Sequence, residues 1–233
     1  MKIALLGYGK MGKMIEKIAL SRGHEIIAKI DINSTPTDIF KADVAIDFSI
    51  PDAAFNNISL CLKNNVPIIS GTTGWLDKYP EAVALCKKHD GAFIYASNYS
   101  LGVNIFFQIN EYLAKIMNNH PQYNISMEEI HHTQKLDAPS GTAITLAEGI
   151  IKQTDKTAWT LEDPNTDEIP ISAKRIDSVP GTHTVSYQSE IDSIAMTHTA
   201  NSREGFALGA VVAAEWIVGK SGVFTMKDVL NLG

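Results

Sequence analysis

The chain has 233 residues, 45% hydrophobic and 20% charged, with a formal net charge of −6 and a pI near 5.6. That length suits one large domain or two small ones, and the acidic balance argues against a general nucleic-acid binder, which would show a basic face. Cys61 and Cys86 fall in helical segments without zinc spacing and read as buried, reduced thiols, not a disulfide scaffold. The opening apolar run stops at Gly7, too early for a signal peptide, and no apolar stretch reaches membrane-spanning length. The expectation is a cytoplasmic protein with neither a nucleic acid nor a membrane as partner.

Lys2 to Leu6 reads as a buried parallel strand closed by glycine. Met11, Ile15, Ile18 and Ala19 recur at helical spacing, and Gly23 is a stop signal. Glu25 to Ile30, Val44 to Phe48, Pro67 to Ser70 and Ala92 to Ala96 are further apolar runs, with helical spacing over Ala53 to Lys63 and Glu81 to His89. Strands alternating with helices predict βαβ units and a doubly wound parallel sheet.

After Asn98 the rhythm changes. Val103 to Met117 predicts one longer helix, and Tyr123 to Ile130 alternates as a half-exposed strand does. A polar loop follows, and a helix starts near Gly141. Trp159 to Glu168 reads as a loop. Ile169 to Ile176, His183 to Tyr187 and Ser193 to Thr199 read as strands with no long helix between them, which is antiparallel-sheet behaviour. Arg203 to Val218 predicts an apolar helix needing a large surface to cover, such as the N-terminal sheet, and a short terminal segment ends the chain.

Gly7-Tyr8-Gly9-Lys10-Met11-Gly12 fits G-x-G-x-x-G between a predicted strand and helix, and Asp31 ends the second strand 19 residues after Gly12. In that context the pattern predicts a dinucleotide site. Gly7 permits the turn, Gly9 lets the backbone approach a pyrophosphate, and Gly12 lets helix and strand pack closely. The helix N-terminus offers N–H groups and partial positive charge. Asp31 would accept hydrogen bonds from the adenine-ribose hydroxyls and repel a 2′-phosphate. No Arg or Lys follows it directly, only Ile32 and Asn33, so NADH is expected to serve at least as well as NADPH, although Lys10 can reach a phosphate. Ser49, Gly71-Thr72-Thr73 and Ala96-Ser97-Asn98-Tyr99 lie at the carboxyl ends of later strands, where such sheets bind ligands.

The densest chemistry is Glu129-Ile130-His131-His132-Thr133-Gln134-Lys135-Leu136-Asp137-Ala138-Pro139-Ser140-Gly141-Thr142. A Ser-Gly-Thr turn opening a helix cradles a carboxylate as it would a phosphate. A lysine suits a second carboxylate or developing negative charge, and a histidine titrates near neutrality and donates a proton. Reduction of an unsaturated dicarboxylate needs this set beside a hydride source. Ser140 also suits a helix N-cap. No Cys, Asp or third His stands at a convincing metal-ligand spacing, so no metal is expected.

This block resembles the signature E-x-H-H-x-x-K-x-D-A-P-S-G-T of 4-hydroxy-tetrahydrodipicolinate reductases. Val44 to Pro51, Gly71 to Gly74, Asn98 to Asn104, Val179 to His183 and Thr197 to Arg203 are also similar to that family. The resemblance implies an NADH- or NADPH-dependent reduction of 4-hydroxy-tetrahydrodipicolinate, or its dehydrated form, to tetrahydrodipicolinate, on the diaminopimelate route to lysine. It implies His131 as proton donor, Lys135 stabilising substrate and transition state, and His132, Ser140, Gly141 and Thr142 binding carboxylates. The implied fold is an α/β N-terminal Rossmann domain over residues 1–99, completed by 204–233. A smaller α+β substrate-binding and oligomerisation domain with a mixed sheet covers 100–203. Hinges would lie at Asn98–Ser100 and Ser202–Glu204, and the assembly would be a homotetramer joined through the smaller domain's sheet.

The sequence departs from the family in places. The glycine loop is one residue shorter than the common G-x-x-G-R-M-G form, with Lys10 where Arg is usual, which bears on NADPH handling. Loops around Ser34 to Thr37 and Trp159 to Glu168 are compact. Arg203 suits either a substrate contact or a hinge brace. Another two-domain small-acid dehydrogenase would share the glycine loop but has no reason to carry His131, Lys135 and the Ser-Gly-Thr turn together. A non-catalytic dinucleotide sensor would not need the proton donor and the lysine, and a histidine loop serving only as a structural oligomer contact would go with intact cofactor affinity but no protection by substrate.

Overall fold

A computed structural model describes residues 1–31 and 39–232. Ile32, Asn33 and the Ser34–Thr37 loop therefore lie outside the described residues. The chain divides into two compact units, Met1–Leu101 with Glu204–Gly233, and Gly102–Arg203.

The first unit begins β1 (Lys2–Leu6), α1 (Lys10–Ser21), β2 (Glu25–Ile30), β3 (Val44–Asp47), α2 (Pro51–Lys63), β4 (Ile68–Ser70), α3 (Tyr79–Lys88) and β5 (Ala92–Tyr95). The second holds α4 (Leu101–Met117, its first residue in the first unit), β6 (Asn124–His131), α5 (Gly141–Ile151), β7 (Ala158–Thr160), β8 (Glu168–Arg175), β9 (Gly181–Gln188) and β10 (Ser193–Ala200). The first unit then resumes with α6 (Glu204–Ile217), β11 (Gly222–Phe224) and α7 (Met226–Val229).

The sheet of the first unit runs β11-β5-β4-β3-β1-β2, with every pairing parallel. Alternate residues of one strand serve opposite faces. Ile3 and Leu5 of β1 pack with Ile15 and Ala19 of α1 and Val211 and Ile217 of α6, whereas Ala4 and Leu6 pack with Ile58 and Leu62 of α2 and Ala82 of α3. This two-sided burial explains why its central strands read as unbroken apolar runs. The apolar helix α6 does cover this sheet. It approaches so closely that a Cβ on Gly209 would lie 1.7 Å from Tyr99 O. The short terminal segment is more than a tail, because Val223 of β11 pairs with Phe93 and extends the sheet to a sixth strand.

The sheet of the second unit runs β10-β9-β6-β8-β7. β9 is antiparallel to β6 and β10, but β8 is parallel to both β6 and β7, so the antiparallel expectation holds for only part of it. The reason is connectivity: the chain from β6 to β8 crosses over through α5 and β7, long enough to return parallel. The expected loop over Trp159 to Glu168 is also corrected, since Trp159 and Thr160 belong to β7 and Glu168 begins β8. Ile125, Met127, Ile169, Val185 and Tyr187 form the apolar face under Phe106 and Ala114 of α4 and Leu146 and Ile150 of α5.

Candidate active site

The end of β1 turns at Gly7, where φ is +88° and a Cβ would lie 2.2 Å from Phe48 O. Only glycine accepts both conditions. Gly12 packs beneath the turn, where a Cβ would lie 2.3 Å from Gly7 O. Gly9 differs: a Cβ there would meet nothing within 4 Å, and as N-cap of α1 it supplies no side-chain hydrogen bond. The first N–H groups of α1 thus sit beside open space that a side chain would fill, which fits a pyrophosphate.

Two clefts meet at this turn. One, of about 400 Å³, is lined by Gly7, Tyr8, Gly9, Asp31 and Ser49, with Leu6, Ile30, Ile50 and Ala53 as apolar wall. The other, of about 430 Å³, is lined by Gly9, Lys10, Met11, Ser49, Gly71, Thr72 and Thr73. An acidic end with apolar walls suits an adenine nucleoside, and the second cleft suits the remainder of a dinucleotide. Tyr8 is held as a wall by its hydroxyl on Glu16 and by Lys29 Nζ 4.8 Å above its ring.

Not every expected contact presents its side chain. Thr72 Oγ1 donates to Asp47 Oδ2 at 2.8 Å and accepts Ser49 N–H at 2.9 Å. Tyr99 is buried, and its hydroxyl donates to Ser70 O at 3.0 Å. These two offer a ligand only backbone. Ala96, Ser97, Asn98 and Tyr99 line neither cleft among the described residues. Asp47, within the quoted third-strand segment, was not singled out by sequence. It is fully buried and accepts from Ser49 Oγ, Asn57 Nδ2, Ser70 Oγ and Thr72 Oγ1 at 2.7–2.9 Å. Burial pushes its carboxyl up against those four donors. It ties the loops after β3 and β4 that line the second cleft.

In the second unit, strand alternation sets the chemistry. Ile125, Met127, Glu129 and His131 share the inner face of β6, so the apolar row becomes ionisable at its carboxyl end. Opposite on β9 stand Tyr187, Val185 and His183, with Gly181 close to His131. Glu129 is 0% exposed. Burial alone would raise its pKa, but Ser140, Arg175 and His131 hold it below the usual carboxylate range. Burial pulls His131 below the usual imidazole value, with Glu129 opposing and Lys135 and Arg175 assisting. Burial, aided by His131, pulls His183 down to about 4.

Ser140 caps α5, accepting Ala143 N–H at 3.2 Å, so the expected cap is present. Gly141 and Thr142 occupy the first helical turn, where no carbonyl within the helix lies four residues back. Lys135 Nζ contacts both Asp137 oxygens at 2.8 Å. His132 is half-buried, with a buried Nδ1 that lacks a hydrogen-bond partner. Arg203 is exposed. The fold thus gathers His131, Ser140 and, through the loop to Asp137, Lys135.

Sequence reasoning missed three members: Arg175, His183 and the role of Glu129. Alternation along β6 and β9 was the available signal for two of them, and a lone arginine ending a strand gave none. Glu129, His131 and His183 also bring one possible ligand atom each within 4.8 Å of one another. The Arg175 guanidinium 3.1 Å from Glu129 Oε1 already neutralises this carboxylate and would repel a divalent ion, so the trio reads as an electrostatic cluster around a paired carboxylate.

The sequence family described as dihydrodipicolinate reductase, N-terminus, matches residues 1–99, and dihydrodipicolinate reductase, C-terminus, matches residues 102–230. A 4-hydroxy-tetrahydrodipicolinate reductase of Christiangramia forsetii is 59% identical across 99% of this chain and 98% of its own length. One from Archaeoglobus fulgidus is 36% identical across 99% of this chain and all of its own. The solved structure of a dipicolinate-bound dihydrodipicolinate reductase from Paenisporosarcina sp. TG-14 has a TM-score of 0.79 at 23% identity, covering 96% of this chain and 97% of that one. At that identity the likeness speaks for the fold.

Proposed function

The chain belongs to the dihydrodipicolinate reductase family, and on that premise we propose that it reduces 4-hydroxy-tetrahydrodipicolinate to tetrahydrodipicolinate in the diaminopimelate route to lysine. The observation that carries this reading is the 59% identity, over nearly the whole chain, to a relative of that name. Hydride and one proton add to the substrate, and water leaves. A nicotinamide cofactor supplies the hydride when bound.

The chain's own residues do the rest. His131 gives the proton. In the free protein burial pulls its pKa below the usual imidazole value, and an arriving dicarboxylate favours its charged form. Gly141 and Thr142 bind one carboxylate with first-turn N–H groups, Ser140 holds that turn through its bonds to Glu129, Ala143 and His183, and His132 assists. Lys135, kept near by Asp137, stabilises negative charge on the substrate as it reacts. The dipicolinate held by the Paenisporosarcina protein supports a dicarboxylate substrate.

Gly7 to Gly12, Asp31, Ser49 and Gly71 to Thr73 would hold the cofactor, with the Ala96–Tyr99 segment as a further contact through its backbone. Asp31 in the acidic cleft supports NADH serving at least as well as NADPH. The reading extends to a cytoplasmic homotetramer, supported by the exposed edge strand β10 with its exposed Ile194. No helix among the described residues is long and apolar enough to cross a membrane.

The test is loss of reduced-cofactor absorbance when pyruvate and aspartate semialdehyde are condensed in the cuvette by the preceding synthase. Synthase-dependent oxidation is expected, and NADH and NADPH rates give the preference. Cofactor binding without oxidation would turn the reading toward another small-acid dehydrogenase or a sensor.

A further inference from the structure

Glu129 and His131 lie two residues apart on the inner face of β6, and three elements close on the carboxylate. Glu129 Oε1 accepts from Arg175 Nη2 at 3.1 Å, and Oε2 accepts Ser140 N–H at 3.0 Å. His183 stands directly across on β9, with Nε2 3.7 Å from Oε2 and 3.1 Å from Ser140 Oγ. The same Oε2 lies 3.5 Å from His131 Nδ1. That nitrogen is buried and has no hydrogen-bond partner. Burying a carboxylate costs several kcal/mol unless it is paired and hydrogen-bonded, and the preceding inner-face positions hold Ile125 and Met127 instead. An ionised group here calls for a function.

We propose that Glu129 is a positioning residue for His131: its carboxylate takes the Nδ1–H, fixes the imidazole tautomer, and leaves Nε2 as the nitrogen that holds and gives the reacting proton. This rests on the reading of His131 as proton donor. Nε2 faces the space that Gly181 keeps open, since it is the atom nearest to a Cβ built there. The 3.5 Å separation is long for a hydrogen bond in the free protein, and such contacts tighten when substrate binds. Arg175 extends the arrangement, with Nε donating to Lys135 O at 3.2 Å and Nη2 to Asp137 O at 2.6 Å. One buried ion pair thereby ties the proton donor, the Ser140 turn and the lysine loop into a fixed geometry.

The charged and titratable groups facing His131 are Glu129 on β6, Arg175 on β8, His183 on β9, and Lys135 and Asp137 in the loop. Glu129 and Asp137 favour the imidazolium, and Lys135 and Arg175 oppose it. Removing the Glu129 charge therefore makes the imidazolium harder to keep.

Two measurements test the proposal. Nuclear magnetic resonance of wild-type protein carrying isotope-labelled histidine should show neutral His131 protonated on Nδ1, and an Nε2–H tautomer would overturn the assignment. In Glu129→Gln, the alkaline limb of the kcat/KM pH profile, where protonated His131 is lost, should move about one unit to lower pH. NADH affinity should be unchanged, and Glu129→Asp should restore part of the shift. A uniform rate loss with the limb unmoved would make Glu129 merely structural. Should Glu129→Gln fail to fold, the wild-type spectrum decides. Should the wild-type protein reduce no 4-hydroxy-tetrahydrodipicolinate, the functional reading fails while the tautomer is still decided.

Discussion

Gly181 and His131 are so close that a Cβ on the glycine would lie 3.0 Å from the imidazole Nε2 and 3.2 Å from Cδ2. Gly181→Ala must either push the ring aside or cover its nitrogen. A displacement of order 1 Å at a reacting group costs about a hundredfold in rate, so turnover should fall by at least tenfold. NADH affinity, read by fluorescence titration, should stay at the wild-type value, because the cofactor clefts are built from the first unit alone. Wild-type turnover in Gly181→Ala would show that Nε2 is not the donating atom.

His183 makes the second unit sensitive to acid. Its folded-state pKa is about 4, held down by burial first and His131 second, against an ordinary value of 6.5. The unfolded chain binds this proton first, so stability is complete above the ordinary value and falls as pH drops from about 6.5 toward 4. The loss is at most about 3 kcal/mol. Urea midpoints measured across that range should decline in the wild-type protein and decline less in His183→Gln. Parallel declines would place the acid sensitivity elsewhere.

Much of this was legible in the sequence because period and punctuation agreed. β2 and the start of α5 fall where the apolar rhythm and the Ser140 cap put them, and the glycine loop sits between β1 and α1 as its pattern requires. What failed was non-local. β11 has three residues, too few for a period, and exists because the β5 edge accepts it. The parallel return of β8 depends on the crossover through α5, which spacing alone does not report. In the site, alternation along β6 marks Glu129 as inward-facing, but only the register with β9 sets it opposite His183. Thr72 and Tyr99 err the other way: polar side chains at the carboxyl ends of strands read as ligand contacts, and both are used internally on Asp47 and Ser70.

Lys135 separates catalysis from folding. Its ion pair with Asp137 joins a side chain 22% exposed to one 59% exposed, and pairs of that kind contribute about 0–1 kcal/mol. Lys135→Ala should therefore unfold at nearly the wild-type temperature. Its loss of charge stabilisation at the reacting substrate should lower kcat about a hundredfold or more. NADH affinity near normal, a small change in Tm and a collapsed kcat is the expected pattern. Full activity would remove Lys135 from the mechanism, and a large fall in Tm would make its role structural.

The proposed cofactor preference rests on Asp31. This residue directly follows β2 and lines the first cleft with Gly7, Gly9 and Ser49, where a carboxylate accepts from ribose hydroxyls and repels a 2′-phosphate. A hydrogen bond to a charged group is worth about 1.5–3 kcal/mol, and each 1.4 kcal/mol is a factor of ten in affinity. Asp31→Ala should thus weaken NADH at least tenfold. NADPH should be spared or improved, because removal of the repulsion offsets the lost contact and Lys10 is exposed beside the loop. The measurement is the ratio of kcat/KM for the two cofactors in the coupled assay, with separate dissociation constants from fluorescence. A ratio moving toward NADPH supports Asp31 as the discriminating carboxylate. Equal loss for both cofactors would mean that Asp31 shapes the cleft without reading the ribose, and unchanged constants would place the adenosine elsewhere.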